Sequence, residues 1–450
     1  MTQTEKTVYL ETFGCQMNVA DSEVVLARLA DDGYNLVKQA DDADLVLYNT
    51  CSVRDNAEAK IRGRLGSLQK LKRERQAAGQ NLTVGIMGCM AQREKEDLVK
   101  KHPIVDLVVG TDQFVHLPEL LARQQEEGKI VATEFGDFET VNWSARRNEG
   151  ITAYVPVMRG CNYNCTYCIV PKTRGKEKSR DPAMIEREVR QAVEEGFSQV
   201  TLLGQTVDAY GKTLGDGSNL ASLLRRLHAI DDLKRIRFIT SHPKDITNEL
   251  LETMAELPKV AKHLHVPAQS GSSRILRLMG RRYTREQYLD FVERARRIIP
   301  GVELLTDMIV GFPRETDEDF QATRSLMEEV AFDGAFVFMY SPRPDTGANR
   351  LEDDVPDEVK RARCNDLLAL QLQQQTARYA KHHGKEFDVL VEGPSKKNPN
   401  RLCGRSIGNL NIIFDRIGPN GEDRSNLIGD LAKIRITEST NLTLLGDVVG

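Results

Sequence analysis

A chain of 450 residues is long enough for about three domains of ordinary size, and 40% apolar residues supply each with a core. With 28% charged residues, a mean hydropathy of −0.42 and no apolar run near the ~18 residues of a membrane span, a helical membrane protein is excluded and no membrane partner is expected. The 62 Lys and Arg against 66 Asp and Glu leave −4, so a polyanion would be met at basic islands such as Pro171–Arg180 or Arg274–Arg297, not over the whole surface.

Residues 5–122 alternate short β-branched or apolar runs with longer amphipathic ones: VYLET, a helix over Asp21–Leu29 stopped at Gly33, DLVLYNT, a long basic helix, LTVGIM, another helix, and VDLVVG. Strand and helix alternating at this spacing predict an N-terminal parallel α/β sheet domain. From about Gln125 to Gly150 the pattern dissolves into a polar linker that holds Trp143 and lays down one strand. The alternation resumes over 147–380 with strands AYVPVM, QVTLLG, RIRFIT, HLHVP, ELLTDMIVG and GAFVFMY. Helices such as Pro182–Glu195 and Thr316–Val330 separate them. Six such units fit a central partial (βα)6 barrel better than a closed eight-unit one. After a glutamine-rich helix ending near Ala380, residues 383–446 show short alternating runs (FDVLVEG, NLNIIF, LAKIRIT, LTLLGDVV) broken by Gly, Pro and Asn, which predicts a small all-β barrel. The fold class is therefore α/β with an appended β module.

The opening MTQTEKTVYLETFGC has neither the basic nor the apolar segment of a secretory signal, so the expected location is cytoplasmic and the eight cysteines are expected to be reduced. Three of them, Cys161, Cys165 and Cys168, follow the first barrel strand within eight residues. Three thiolates bind three irons of one iron–sulfur cube and leave the fourth iron open. A zinc site or spare thiols is the alternative, but no partner pair of cysteines follows. Cys15, Cys51 and Cys89 end VYLETFGC, DLVLYNTC and LTVGIMGC at spacings of 36 and 38 residues. One βα unit takes about that length, so all three fall at the carboxyl ends of strands in one sheet and converge. The expectation is a second three-thiolate cluster, against the alternative of independent core cysteines. Cys364 and Cys403 have no companions.

The C-x3-C-x2-C loop with Tyr167 between its last two cysteines, after the first strand of a six-unit barrel, resembles the radical S-adenosylmethionine (SAM) superfamily. Joined to the amino-terminal cysteine set and the small β module, it resembles the methylthiotransferases over essentially the whole chain, and among them the MiaB-type tRNA enzymes. The segments that carry this are TFGCQMN, YNTCSVRDNAE, MGCMAQR, YVPVMRGCNYNCTYCIVPKTRGKEKSR, LLGQTVDAYG, HLHVPAQSGSSRILRLMGRRYT, TDMIVGFPRETDEDF and VLVEGPSKKNPN. LGQTVDAY departs from the expected LGQNVNAY at Thr206 and Asp208.

The resemblance implies a methylthio group added to C2 of N6-isopentenyladenosine at position 37 of tRNA. It implies two 4Fe-4S clusters, each with three Cys ligands, and two SAM per turnover, one giving a methyl group and one a 5′-deoxyadenosyl radical. It also implies a sulfur donor and an electron donor such as a flavodoxin or ferredoxin. Gln205, Gln269, Ser270 and Asp307, at barrel strand ends, are candidates for SAM contact, and strand-end caps are the alternative. The carboxyl-terminal module resembles the TRAM domain. Lys396, Lys397, Arg401 and Arg405 on loop-like sequence there, with Lys172 and Arg174 beside the barrel cysteines, are candidates for RNA contact. A monomer is expected, since no segment looks like a dedicated dimer surface. A ribosomal-protein aspartate or a threonylcarbamoyl-adenosine as substrate, a two-cluster electron carrier, and an RNA-binding protein with structural clusters are the competing readings.

Overall fold

The computed structural model describes residues 6–52, 55–136, 145–147 and 150–449, with side chains omitted for 55–59. Trp143 lies outside the described residues. The chain forms two compact units. One comprises 1–148 with 156–163 and 169–181; the other comprises 149–155, 164–168 and 182–450.

In the first unit, β1 (Lys6–Thr12), β2 (Tyr34–Leu36), β3 (Leu45–Thr50), β4 (Thr83–Gly88), β5 (Leu107–Val109) and β6 (Ile130–Ala132) form one parallel sheet in the order β2-β1-β3-β4-β5-β6. Between the strands run α1 (Gln16–Asp31), α2 (Asp55–Ala77), α3 (Cys89–Glu94), α4 (Glu96–Lys101) and α5 (Leu117–Glu127). Because successive strand side chains point to opposite faces, Leu45 and Leu47 pack with Val24, Val25 and Leu29 on one side. Val46 and Tyr48 pack with Ile61 and Leu65 on the other. All six residues of β3 are buried, as expected of a central strand covered on both faces. The expected strand of the linker is β6, the edge of this sheet.

In the second unit, β7 (Thr152–Pro156) opens the barrel. The hairpin-like pair β8 (Met158–Arg159) and β9 (Lys178–Ser179) flanks α6 (Val170–Arg174) and belongs with the first unit. The barrel continues through α7 (Pro182–Glu194), β10 (Gln199–Leu203), α8 (Leu220–His228), β11 (Arg235–Phe238), α9 (Asn248–Glu256) and β12 (His263–His265). Then come α10 (Ser273–Leu278), α11 (Arg285–Ile298), β13 (Glu303–Val310), α12 (Asp317–Val330) and β14 (Gly334–Met339). The strands order as β11-β10-β7 and β12-β13-β14, with a parallel bridge from Ile236 to Val260 joining the two sets. This is the expected partial barrel. Capping boxes at Asn219, Thr284 and Thr316 fix where α8, α11 and α12 begin, each side chain accepting the backbone N–H three residues on.

After α13 (Asp357–Ala380), the strands β15 (Glu386–Ser395), β16 (Asn398–Ser406), β17 (Asn411–Asp415), β18 (Leu431–Ser439) and β19 (Leu444–Val448) close into a five-stranded barrel. Val389, Val391, Leu402, Ile412, Phe414, Ile434 and Leu444 fill it, and Tyr379 of α13 joins that core. The segment read as a basic loop is in fact a hairpin. Lys396 and Lys397 are its two-residue turn between Ser395 and Asn398, and Arg401 and Arg405 lie on β16. The alternation of Leu402, Gly404 and Ser406 inward on β16 is easily missed, because a strand with Pro, Asn and Gly, paired to a β15 that bulges at Val391/Gly393, looks like turn sequence.

Candidate functional site

The register of the first sheet sets Thr12 beside Asn49 and Thr50 beside Gly88. Cys15, Cys51 and Cys89 therefore leave the carboxyl ends of three adjacent strands. Cys15 is the N-cap of α1, its carbonyl accepting the N–H of Asn18 at 3.0 Å. Gly14, at φ +128°, lets the turn close on Cys51: a Cβ there would lie 2.4 Å from Cys51 Cβ. Asn18, fully buried, receives the Cys15 thiol at 3.6 Å on Oδ1 and donates Nδ2 to Phe13 O at 3.0 Å. Asn49 ties this turn to β3, donating to Asn18 O at 2.8 Å and Ser22 Oγ at 2.9 Å.

Arg174 enters the same pocket. Its Nη2 donates to Asp21 Oδ2 at 2.7 Å and Asn18 Oδ1 at 2.9 Å, and the residue is 5% exposed. The structure thus corrects its grouping with the RNA-contacting basic run: a guanidinium locked to a buried carboxylate has no face to offer a phosphate. Electrostatics follow from this packing. A hydrogen bond from Cys51, helped by Arg174 against the cost of burial, lowers the Cys15 thiol to about 5. Burial raises the Cys89 thiol, with Arg174 opposing. Among the described residues no three His, Cys, Asp or Glu side chains form a single-ion site. A cube differs from such a site in taking each thiolate on a different iron.

Of the barrel cysteines, Cys161 belongs to the first unit and Cys165 and Cys168 to the second, and each is held by backbone of its own unit. Gly160, at φ +71°, allows the close approach of Lys176: a Cβ would stand 2.1 Å from its carbonyl oxygen. Cys161 N donates to Gly175 O at 3.2 Å, and Tyr163 N points to Cys161 Sγ at 3.4 Å. Further along, Cys168 N donates to Cys165 O at 3.0 Å, and Thr166 donates N and Oγ1 to Met279 O and Leu278 O, both at 2.9 Å. Arg281 Nη1 reaches Cys165 Sγ at 3.6 Å, a contact that sequence reasoning missed.

At the carboxyl ends of the barrel strands, Gln205 and Gln269 each hold a buried Oε1 that takes no hydrogen bond. Gln269 adopts φ +68° while its backbone bridges Asp307 O and Ile309 N, both at 2.9 Å. Asp208 Oδ1 and Ser241 Oγ are likewise buried without a hydrogen bond. Orphaned polar atoms gathered at strand ends fit a polar ligand such as SAM. Asp307 Oδ1 lies 2.9 Å from His265 Nε2 and accepts its N–H. Ser270 differs: its hydroxyl meets Thr323 Oγ1 and Ser272 N, both at 3.1 Å, so it is already engaged in holding a turn.

Of the basic candidates, Lys172, Lys396 and Lys397 are exposed. Arg401 pairs with Asp415 at 2.9 Å, and Arg405 with Glu392 at 3.5 Å. In the Arg274–Arg297 island, Arg274, Arg285 and Arg294 pair with Asp319, Glu329 and Asp290, which makes much of it an ion-paired surface.

These features define a radical SAM enzyme, and comparison with known proteins agrees. The Radical SAM superfamily matches residues 155–327, the Uncharacterized protein family UPF0004 matches 7–110 and the TRAM domain matches 380–449. By structure, the chain is similar to the radical S-adenosylmethionine methyltransferase TsrM from Kitasatospora setae, with TM-score 0.57 and 16% identity over 77% of each chain, a likeness of fold. By sequence, it is 47% identical over 450 residues to the tRNA-2-methylthio-N(6)-dimethylallyladenosine synthase of Bacteroides thetaiotaomicron, covering 99% of this chain and 96% of that protein. It is 44% identical over 453 residues to that of Moorella thermoacetica, covering all of both. The chain belongs to the tRNA-2-methylthio-N(6)-dimethylallyladenosine synthase family.

Proposed function

We infer that this chain is a radical SAM methylthiotransferase that adds a methylthio group to C2 of N6-isopentenyladenosine at position 37 of tRNA, next to the anticodon. The observation that carries this reading is the pairing, in one chain of that family, of two three-cysteine sets: one on the loop after the first barrel strand, the other at three adjacent strand ends of a parallel sheet. A 4Fe-4S cluster and SAM are the cofactors of the superfamily. In our reading there are two clusters, one on Cys161, Cys165 and Cys168 and one on Cys15, Cys51 and Cys89, and two SAM are used per turnover. The modules are 5–122, 147–380 and 383–446.

When bound, the barrel cluster supplies the electron that cleaves SAM, and the radical chemistry so opened removes a C2 hydrogen too strongly bound and too weakly acidic for side-chain acid–base catalysis. The chain's own residues position and shield. Gln205, Gln269 and Asp307 offer polar atoms to SAM, and Ser270 shapes the turn beside Gln269. Asn18, Asp21 and Arg174 hold the amino-terminal thiolates in a fixed, partly charge-balanced setting. Lys172, Lys396, Lys397, Arg401 and Arg405 are assigned to the tRNA. A tRNA partner follows from the family and the TRAM module; a flavodoxin- or ferredoxin-type electron donor, a separate sulfur donor, a cytoplasmic location and a monomeric state complete the proposal.

The test is the anaerobic iron and sulfide content of the reconstituted protein, with nucleoside mass spectrometry of treated tRNA. About eight irons falling to about four in the Cys161/Cys165/Cys168 triple alanine variant is expected for two cubes. Four falling to none would leave one cluster and remove the two-cluster assignment.

A further inference from the structure

Several buried arginines of this protein have a carboxylate: Arg159 pairs with Asp112, Arg174 with Asp21, and Arg363 with Glu315. Arg281 is as deeply buried, 7% exposed, yet among the described residues none of its hydrogen-bond partners is a carboxylate. Nη2 donates to Pro267 O at 3.1 Å and Nε to Tyr283 Oη at 3.2 Å, while Nη1 is directed to Cys165 Sγ at 3.6 Å. The Tyr283 hydroxyl is itself fixed, 2.8 Å from Ala268 O, and its ring lies 5.2 Å from the guanidinium. A buried cation needs an anion, and the group it faces is a thiol that becomes a thiolate only as a metal ligand or by deprotonation.

The segment that carries Arg281 is also the one that grips the cysteine loop. Thr166 binds Met279 O and Leu278 O. Gly280 passes so close to the loop that a Cβ there would be 3.0 Å from Asn164 O. The guanidinium is therefore placed against the sulfur by backbone on both sides, not by a flexible side chain finding a neighbour.

We propose that Arg281 is a positioning residue that tunes the cluster held by Cys161, Cys165 and Cys168: its guanidinium donates to the Cys165 sulfur, acts as that thiolate's counter-ion, and raises the cluster's reduction potential. The inference rests on those three cysteines being the ligands, as argued above. The cluster gains one negative charge when it accepts an electron from a low-potential one-electron donor. A fixed positive charge and a hydrogen bond at a ligand sulfur stabilise that reduced state more than the oxidised one. Arg281 thus makes the electron needed for SAM cleavage easier to load.

The experiment uses full-length protein in the Cys15/Cys51/Cys89 triple alanine background, so that only the barrel set can hold iron, with potentials set by dithionite and read by electron paramagnetic resonance. Arg281→Gln is expected to keep the iron content and shift the reduction equilibrium at least tenfold toward the oxidised form, ~59 mV for one electron; Arg281→Lys, which keeps the charge, should recover part of the shift. An unchanged midpoint in Arg281→Gln with iron intact would overturn the proposal. Should the variant fail to load iron, pulsed resonance on reduced, unsubstituted Arg281 protein labelled with 15N-arginine decides. A weak coupling from guanidinium nitrogen is expected, and none would again overturn it. If the triple alanine background itself binds no iron while the protein is folded, the ligand assignment fails, and the role of Arg281 fails with it.

Discussion

Arg174 illustrates how a single side chain changes meaning with its surroundings. In the run Lys172–Arg180 it sits among exposed lysines, but its guanidinium is spent on Asp21 and Asn18 beneath the amino-terminal cysteines. Removing one partner of a buried ion pair leaves an uncompensated charge, whereas removing both costs much less. Arg174→Gln should therefore destabilise the protein by about 3–5 kcal/mol, and the Asp21→Asn/Arg174→Gln double variant should regain most of it. Urea unfolding of the metal-free protein checks both. Equal losses in single and double variants would show that the pair does not act as a pair. Asp208, where an asparagine was expected, stays buried: burial, with Asp245 nearby, pushes its carboxyl well above the usual range, while Oδ2 accepts His242 N at 2.8 Å. Its side-chain oxygen holds that backbone N–H as an amide oxygen would.

Among the elements, the short pair β8 and β9 determines how the cysteine loop begins. Two residues on each strand, Met158 with Ser179 and Arg159 with Lys178, bring Gly160 against Lys176. A methyl group at Gly160 meets a carbonyl oxygen, and φ +71° is itself strained for alanine. Gly160→Ala should cost at least ~1–3 kcal/mol and release Cys161 from its place. The expected result is loss of about half the reconstituted iron, the half assigned to the barrel set, measured by iron analysis alongside the wild type. Full iron with wild-type stability would show that the turn tolerates a side chain. The three-residue strand β2 and the polar strand β16 escaped a pattern search for a shared reason. Elements this short or this polar have too few alternations to stand out, and neighbouring strands supply what stabilises them.

For the molecule as a whole, the small barrel is joined to the larger one by more than the end of α13. Arg235 Nη1 donates to Ser406 O at 3.0 Å and Lys262 N to Ile407 O at 2.9 Å, so the turn after β16 is bound to the strands of the partial barrel. The other turn of the same strand carries Lys396 and Lys397 into solvent. If they meet phosphates, replacing both by alanine should weaken tRNA binding and reduce the slope of log K against log salt by about one per lost contact. Arg401→Ala should do less, because Asp415 already neutralises that guanidinium. Binding measured across a salt series separates these cases, and an unchanged slope in the double variant would move the RNA contact elsewhere.

The amino-acid sequence by itself determined the three-module order, the six-strand partial barrel and both cysteine sets. The reason is that spacing of 36 and 38 residues, a three-cysteine loop and alternating apolar runs are local or periodic signals, and parallel strand order turns a regular spacing into positions at one end of the sheet. Only the tertiary structure decided which charges serve those cysteines. Arg174 meets Asp21 across 153 residues, and Arg281 meets Cys165 across 116. No periodicity records such a pairing, because each arginine looks locally like one more solvated basic residue, and what sets its role is a buried anion that packing alone brings to it.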